Sequence, residues 1–226
     1  MTNTSLTPVE ENYLKYLYIL SQQNPDGIVK TNDIAYKLNH SAASVTDMLQ
    51  KLAGKKLVKY EKYHGTSLTK PGLVIALRVL RKHRLWELFL NKVLGFTWDK
   101  IHDIAEQLEH VQSDELIERI DEYLSYPKFD PHGDPIPDAQ GKISDLDAIH
   151  LSDAQINKWY LFSGINNHTT SFMNYLNKIN LSLQDQIMIV EKEEFDKALI
   201  IRKKQGVTVP VSHDAALCML VKPSGV

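Results

Sequence analysis

The stretch TNDIAYKLNHSAASVTDMLQKLAGKKLVKYEKYHGTSLT, residues 31–69, reads as helix, turn, helix and hairpin. TNDIAYKLN predicts a short helix capped by Thr31. After a tight turn, Ser41 is placed to cap a second helix, where Val45, Met48, Leu49 and Leu52 recur at the three-to-four spacing of one buried face. LVKYEKYHGTSLT alternates around His64-Gly65, the pattern of two short strands and a turn. A further helix precedes them. TPVE at 7–10 offers Thr7 as N-cap, Pro8 at the first helical position and Glu10 to close a capping box, and NPDG at 24–27 ends the run. Together these elements predict a winged helix-turn-helix, with the recognition helix starting near Ser41 and the wing at 60–66. Small residues Ser41, Ala42, Ser44 and Thr46 would then come near base edges, and Lys51 and Lys62 near phosphates. Three short helices and a hairpin also occur in proteins that bind only protein.

Charge distribution favours the nucleic-acid reading. The formal net charge is only −2, yet residues 51–70 hold six lysines against one acid, Glu61. Residues 71–127 hold seven basic and ten acidic residues. A phosphate backbone responds to that local excess rather than to the total. At 226 residues, 43% apolar and 24% charged, the chain has an ordinary globular composition, with room for one large domain or two to three small ones. No run approaches the ~20 apolar residues of a membrane span. MTNTSLTPVEEN lacks the basic and apolar regions of a signal peptide, so a cytoplasmic location is expected. The single cysteine, Cys218, excludes an intramolecular disulfide framework and a cysteine-rich zinc site.

Downstream, PGLVIALRVLRKHRLWELFLNKVLG predicts a long helix from Pro71 to Gly95. Thr97 and Ser113 are placed to cap two more helices, and Pro127 closes the second. Leu85, Trp86, Leu88, Phe89 and Leu90 suit either a helical dimer interface or an internal core. PKFDPHGDPIPDAQG, 127–141, holds four prolines and two glycines and reads as a linker. Beyond it, NKWYLFSGI, QDQIMIVEKE, FDKALIIRKK, GVTVPVS and ALCMLVKP are strand-like and suggest a small β-barrel. The fold class expected is mainly α with β. The expected division is a winged-helix domain at 1–72, a helical metal-binding and dimerisation domain at 73–127, a linker at 128–146 and a barrel at 147–226.

IHDIAEQLEHV, 101–111, carries the chemistry. At ~100° per residue, His102, Glu106, Glu109 and His110 fall within a sector of roughly 100° on one helix, with Ile101, Ile104, Ala105, Leu108 and Val111 elsewhere. A solvated polar face is the plain reading and a divalent metal site the sharper one. The preceding helix adds His83 and Glu87 at i, i+4. His83, Glu87 and His102 could form one cluster, and Glu106, Glu109 and His110 another. Carboxylate and imidazole donors suit Mn, Fe, Co, Ni or Zn. There is no HExxH of a zincin protease and no paired Glu-x-x-His of a di-iron bundle.

RKHRLWE followed by IHDIAEQLEHVQSDE, downstream of SVTDMLQKL, resembles the diphtheria toxin repressor family, which includes iron-dependent regulators and manganese transport regulators. The resemblance is strongest over 7–137. It implies an N-terminal winged helix, a helical dimerisation domain and a C-terminal SH3-like barrel, in a metal-activated homodimer that represses metal uptake genes. It implies a primary site from Glu106, Glu109 and His110 with Asn12 of the first helix, Glu11 or water being able to contribute. It implies an ancillary site from His83, Glu87 and His102. Iron-type members carry cysteine at the place of Glu106 and manganese-type members glutamate. Short manganese regulators carry a glutamate where this chain has Lys15, which argues against their closely spaced metal pair. DPHG resembles the CPHG of longer manganese-responsive members and makes His132 a further ligand.

The expected function is therefore that of a metal-dependent transcriptional regulator, not an enzyme. Mn(II) is the expected effector ahead of Fe(II), with Zn(II) or Co(II) able to substitute. The expected partners are double-stranded operator DNA at an inverted repeat and a second copy of the chain. Two other classes stand beside it: a winged-helix regulator of an organic ligand, and a metalloenzyme with a helical carboxylate–imidazole site.

Overall fold

The computed structural model describes residues 6–224, in two compact units. The first holds residues up to Trp86, Ala105–Ile120 and Pro137–Ile143. The second holds Glu87–Ile104, Asp121–Ile136 and Ser144 onward.

The first unit begins with α1 (Pro8–Ser21), α2 (Thr31–Leu38) and α3 (Ala42–Gly54). Thr7 caps α1 in a complete capping box. Its side chain accepts from the Glu10 N–H, and the Glu10 carboxylate accepts from the Thr7 N–H at 2.9 Å. Ser41 caps α3 by accepting from the Ser44 N–H. Thr31 does not cap α2. It is the first helical residue, and Lys30 holds the cap position with no side-chain bond. Asn39, in the left-handed region at φ 53°, turns the chain between α2 and α3. Tyr13, Leu14, Leu17, Ile34, Val45, Leu49 and Leu52 close into one core that also takes Leu57 and Val58.

The wing is β1 (Val58–Glu61) and β2 (Gly65–Leu68), antiparallel from Val58↔Leu68 to Glu61↔Gly65. Val29 adds a bridge to Thr66, so the hairpin is tied to the loop before α2. α4 (Lys70–Lys92) follows at once. A Cβ on Gly72 would stand 1.9 Å from the Leu57 carbonyl oxygen, so only glycine lets α4 start against the end of the head. Leu85, Leu88 and Leu90 are buried within the chain, which makes them core. Trp86 and Phe89 are half-buried.

α5 (Trp98–Leu108) and α6 (Asp114–Tyr123) come next. α5 stops before Glu109. The Val111 N–H donates to Leu108 at 3.1 Å, a tight turn that ends the regular helix. The Glu109 N–H still donates to the Ala105 carbonyl at 2.9 Å, so Glu109 keeps its helical place and the turn follows it.

In the second unit a six-stranded antiparallel sheet has the order β3-β8-β4-β5-β6-β7. Its strands are β3 (Ile149–His150), β4 (Trp159–Ile165), β5 (Gln186–Lys192), β6 (Leu199–Lys203), β7 (Thr208–Val211) and β8 (Met219–Pro223). Two helices absent from the sequence reading, α7 (Thr170–Lys178) and α8 (His213–Leu217), pack into the same core through Phe172, Met173, Leu176, Ala215 and Ala216. The proline-rich stretch carries contacts that a free linker lacks. Asp130 to Gly133 are buried, and the Ile165 N–H donates to the His132 carbonyl. Gly133 has φ +85°, and a Cβ there would stand 2.1 Å from the Ser163 oxygen.

Candidate metal centre

The first unit buries an ionic cluster between α1 and the end of α5. Lys15 and Glu109 are 1% and 0% exposed, and Glu106 is 22% exposed. Lys15 Nζ lies 2.5 Å from Glu106 Oε1 and 2.7 Å from both oxygens of Glu109. Tyr16 donates its hydroxyl to Glu106 Oε1 at 2.8 Å. Burial alone raises the Glu106 carboxyl pKa. The Lys15 ammonium, with His83 and Tyr16, outweighs burial and holds it below the ordinary value. Buried carboxylates persist only when compensated in this way.

His83 Nδ1 lies 2.7 Å from Glu109 Oε2 and 3.9 Å from Glu106 Oε1. The resemblance groups His83 with Glu87 and His102, and its Nδ1 is within hydrogen-bond distance of Glu109. His110 Nδ1 lies 2.6 Å from Glu11 Oε2. Its Nε2 is buried and makes no hydrogen bond among the described residues, with Glu109 Oε1 at 3.5 Å. Asn12 Oδ1 is likewise buried without a hydrogen-bond partner there. Asn12 and Glu106 line one cavity of about 300 Å³ together with Tyr13, Tyr16 and His40.

A lone-pair nitrogen and an amide oxygen left bare beside two carboxylates have the chemistry of a divalent-cation site. By donor type Asn12, Glu106, Glu109 and His110 suit a divalent ion, and Glu11 is within hydrogen-bond distance of His110 Nδ1. The resemblance marks position 15, where short manganese regulators carry glutamate, but the ion pairs of Lys15 and the Tyr16 hydroxyl bond are not read from sequence. Only the depth of Lys15 on the buried side of α1 signals its ion pairs.

In the second unit Glu87, 3% exposed, receives two imidazoles. His102 Nδ1 is 3.3 Å and His132 Nε2 is 3.7 Å from Glu87 Oε1. His132 is 2% exposed, and its Nδ1 is buried without a hydrogen bond among the described residues. Burial lowers the His132 pKa, but Glu87, Asp130 and Asp134 outweigh it and raise the value overall. Trp98 and His168 pack edge-on against the His132 ring at 5.8 and 5.2 Å. His168 is a neighbour that sequence reading missed, and it lies 3.1 Å from Asp134. Asp130 stands at the cysteine position of CPHG. Its Oδ1 accepts from the His132 and Asp134 N–H groups, a turn-forming role. Glu87, His102 and His132 are thus brought together, and a metal is a chemically reasonable occupant.

On the head, Ser41, Ala42 and Ser44 are exposed and Thr46 half-exposed. The Ser41 and Ser44 hydroxyls bond each other at 2.9 Å, and Thr46 donates to the Ala42 carbonyl. Lys62 lies over the Tyr63 ring at 5.1 Å, exposed at the wing tip. Lys51 is half-exposed but stands 3.2 Å from the buried Glu10 carboxylate, which shares its charge with Lys55.

A winged head coupled to a buried carboxylate–imidazole cluster defines a metal-responsive DNA-binding regulator. Residues 5–66 match the family described as iron dependent repressor, N-terminal DNA binding domain, and residues 69–138 its metal binding and dimerisation domain. The chain belongs to this family of metal-dependent transcriptional repressors, which are not enzymes. Over 120 residues it is 37% identical to the HTH-type transcriptional regulator MntR of Bacillus velezensis, covering 53% of this chain and 82% of that protein. Over 132 residues it is 33% identical to the diphtheria toxin repressor of Corynebacterium jeikeium, covering 58% of this chain. That match spans only 54% of the repressor's length. A solved manganese-dependent transcriptional repressor in complex with manganese superposes with a TM-score of 0.84 at 32% identity, covering 95% of this chain and all of that one. The manganese regulator SloR superposes at 0.75 with 34% identity, covering 97% of this chain and all of that one. No helix among the described residues is long and apolar enough to cross a membrane.

Proposed function

We propose that the chain is a Mn(II)-activated, homodimeric repressor that binds an inverted-repeat operator in the cytoplasm and controls metal uptake genes. The carrying observation is the donor set of the first unit. It has two carboxylates, one imidazole nitrogen and one amide oxygen, the last two making no hydrogen bond among the described residues. Such a set is hard to borderline and has no sulfur, and it can offer more ligands than tetrahedral zinc takes. Manganese in the structural relatives supports the choice. The relative ScaR has been solved with bound Cd(II) and with bound Zn(II), and Fe(II) or Co(II) would suit the same donor types.

Asn12 sits on α1, while Glu106, Glu109 and His110 sit on or just past the end of α5. A divalent ion held by all four would supply charge neutralisation and a cross-link between them. α1 is part of the core of the winged head, so fixing it fixes the recognition helix α3. A dimer must present two such helices to half-sites about a helical turn apart, so head placement becomes affinity. The effector acts through its preference for the bridged state. Glu87, His102 and His132 would form a second site that secures the fold of the other unit.

The test uses an inverted repeat selected from random duplexes. Binding is titrated anaerobically with each metal and with chelator. Retention in Mn(II) and release in chelator are expected. Binding that ignores chelator and every metal would reject the reading.

A further inference from the structure

Lys15 is the most deeply buried lysine among the described residues, at 1% exposure. A protonated lysine has three donors and no lone pair, so it can ligate no metal. Its ammonium nevertheless stands among the carboxylate oxygens that a metal would use, at 2.5 Å from Glu106 and 2.7 Å from each oxygen of Glu109. The Tyr16 ring covers it at 4.8 Å. The contact spans 91 and 94 residues of sequence, joining α1 to the end of α5.

We propose that Lys15 is a tethered cation that competes with the divalent ion for Glu106 and Glu109. It holds α1 to residues 106–109 when metal is absent, and it sets the metal concentration at which the site fills. This rests on the metal site proposed above. Two features carry it. A buried carboxylate pair needs a positive partner at all times, and Lys15 is placed to be that partner without metal. Lys15 takes Glu106 Oε1 and both oxygens of Glu109, and the donors without a hydrogen bond among the described residues, Asn12 Oδ1 and His110 Nε2, bring no negative charge to hold an ion by themselves. Filling the site therefore requires carboxylate oxygens to pass from ammonium to metal. The outcome is a raised threshold, with the metal-free chain kept folded around the site.

The test compares wild type, Lys15→Met and Lys15→Arg as full chains. Two readouts are taken: melting temperature in chelator, and Mn(II) affinity by calorimetry. Lys15→Met should melt roughly 5 °C or more below wild type in chelator and recover with Mn(II). It should also bind Mn(II) about tenfold more tightly, because no ammonium must be displaced. Lys15→Arg keeps the charge and should stay near wild type in both. A Lys15→Met chain unfolded in chelator but folded with Mn(II) supports the proposal in a stronger form. Unchanged melting and affinity, weaker Mn(II) binding, or failure to fold even with Mn(II) would each overturn it. Operator binding by wild type is scored separately. Its loss sinks the repressor reading, whereas the melting comparison still decides the role of Lys15.

Discussion

Glu11 Oε2 lies 2.6 Å from His110 Nδ1, so a carboxylate on α1 orients an imidazole just beyond α5. A neutral His110 that donates Nδ1–H to Glu11 presents the Nε2 lone pair. That is the tautomer a metal needs, held by an outer carboxylate. Glu11→Gln should therefore weaken Mn(II) binding about 10-fold to 100-fold with little change in the fold. Calorimetric titration reads this directly, and an unaltered constant would show that Glu11 does not act through His110. His110→Ala and Glu109→Ala remove donors outright and should abolish metal-activated operator binding.

On the proposed reading, Glu106 should decide which metal is preferred. Replacing it with cysteine exchanges an oxygen for a thiolate, a softer donor that favours Zn(II), Co(II) and Fe(II) over Mn(II). The expected result is a reordering of activation, with Mn(II) needing a higher free concentration than in wild type. Anaerobic operator titrations with each metal supply the ranking. A Glu106→Cys chain with the wild-type order would place selectivity elsewhere.

Lys62 and Lys51 differ in what they have left to offer DNA. Lys62 is exposed on the wing over the Tyr63 ring, whereas Lys51 lies 3.2 Å from Glu10. Lys62→Ala should weaken binding to all sequences alike and reduce the salt slope by about one. Lys51→Ala should have the smaller effect on DNA. Fluorescence anisotropy over a salt series separates them. A change of base preference at one position in Lys62→Ala would mean the wing reads bases.

The head was legible because its signals are local. Thr7, Pro8 and Glu10 make a capping box within four residues, and Ser41 caps α3 three residues before its partner. The C-terminal strands were legible from runs of β-branched residues, but α7 was not. TSFMNYLNK is short, and its buried Phe172, Met173 and Leu176 give too brief a period to distinguish from loop. At the metal cluster, spacing identified Glu106, Glu109 and His110, yet the helical wheel assumed a helix through Val111. The regular helix ends at Leu108, but the Glu109 N–H still bonds Ala105, and Lys15 meets both Glu106 and Glu109. The resemblance marks position 15, but the ion pairs of Lys15 reach partners more than 90 residues away, and no periodicity encodes a contact at that distance. The docking of His132 escaped for a similar reason. Prolines mark where a helix cannot run, but not which surface the chain then meets.

That docking depends on Gly133. Its φ of +85° and the 2.1 Å approach of a Cβ to the Ser163 oxygen leave no room for a side chain. Gly133→Ala should cost about 2–4 kcal/mol, from backbone strain and displacement of the turn that carries His132. Denaturant unfolding measures it, and a change below about 0.5 kcal/mol would show that the turn relaxes freely.

Glu10 makes stability depend on acidity. Burial raises its carboxyl pKa, but Lys55 at 2.7 Å, the Thr7 N–H and Lys51 outweigh that and lower it from 4.5 to about 2. A carboxyl with a depressed folded value stabilises the fold fully above its unfolded value. That contribution fades as pH falls below about 4.5 and is gone near 2. The two lysines are partly exposed, so the contribution at neutral pH is set at about 2 kcal/mol rather than the full linkage value. Glu10→Gln keeps an oxygen for the Thr7 N–H and removes only the charge. The variant should lie about 2 kcal/mol below wild type at pH 7, and the gap should close as pH approaches about 2. Urea unfolding of both chains at a series of pH values gives the gap directly. A gap that stayed constant with pH would assign the effect of Glu10 to shape and capping, with no part for its charge.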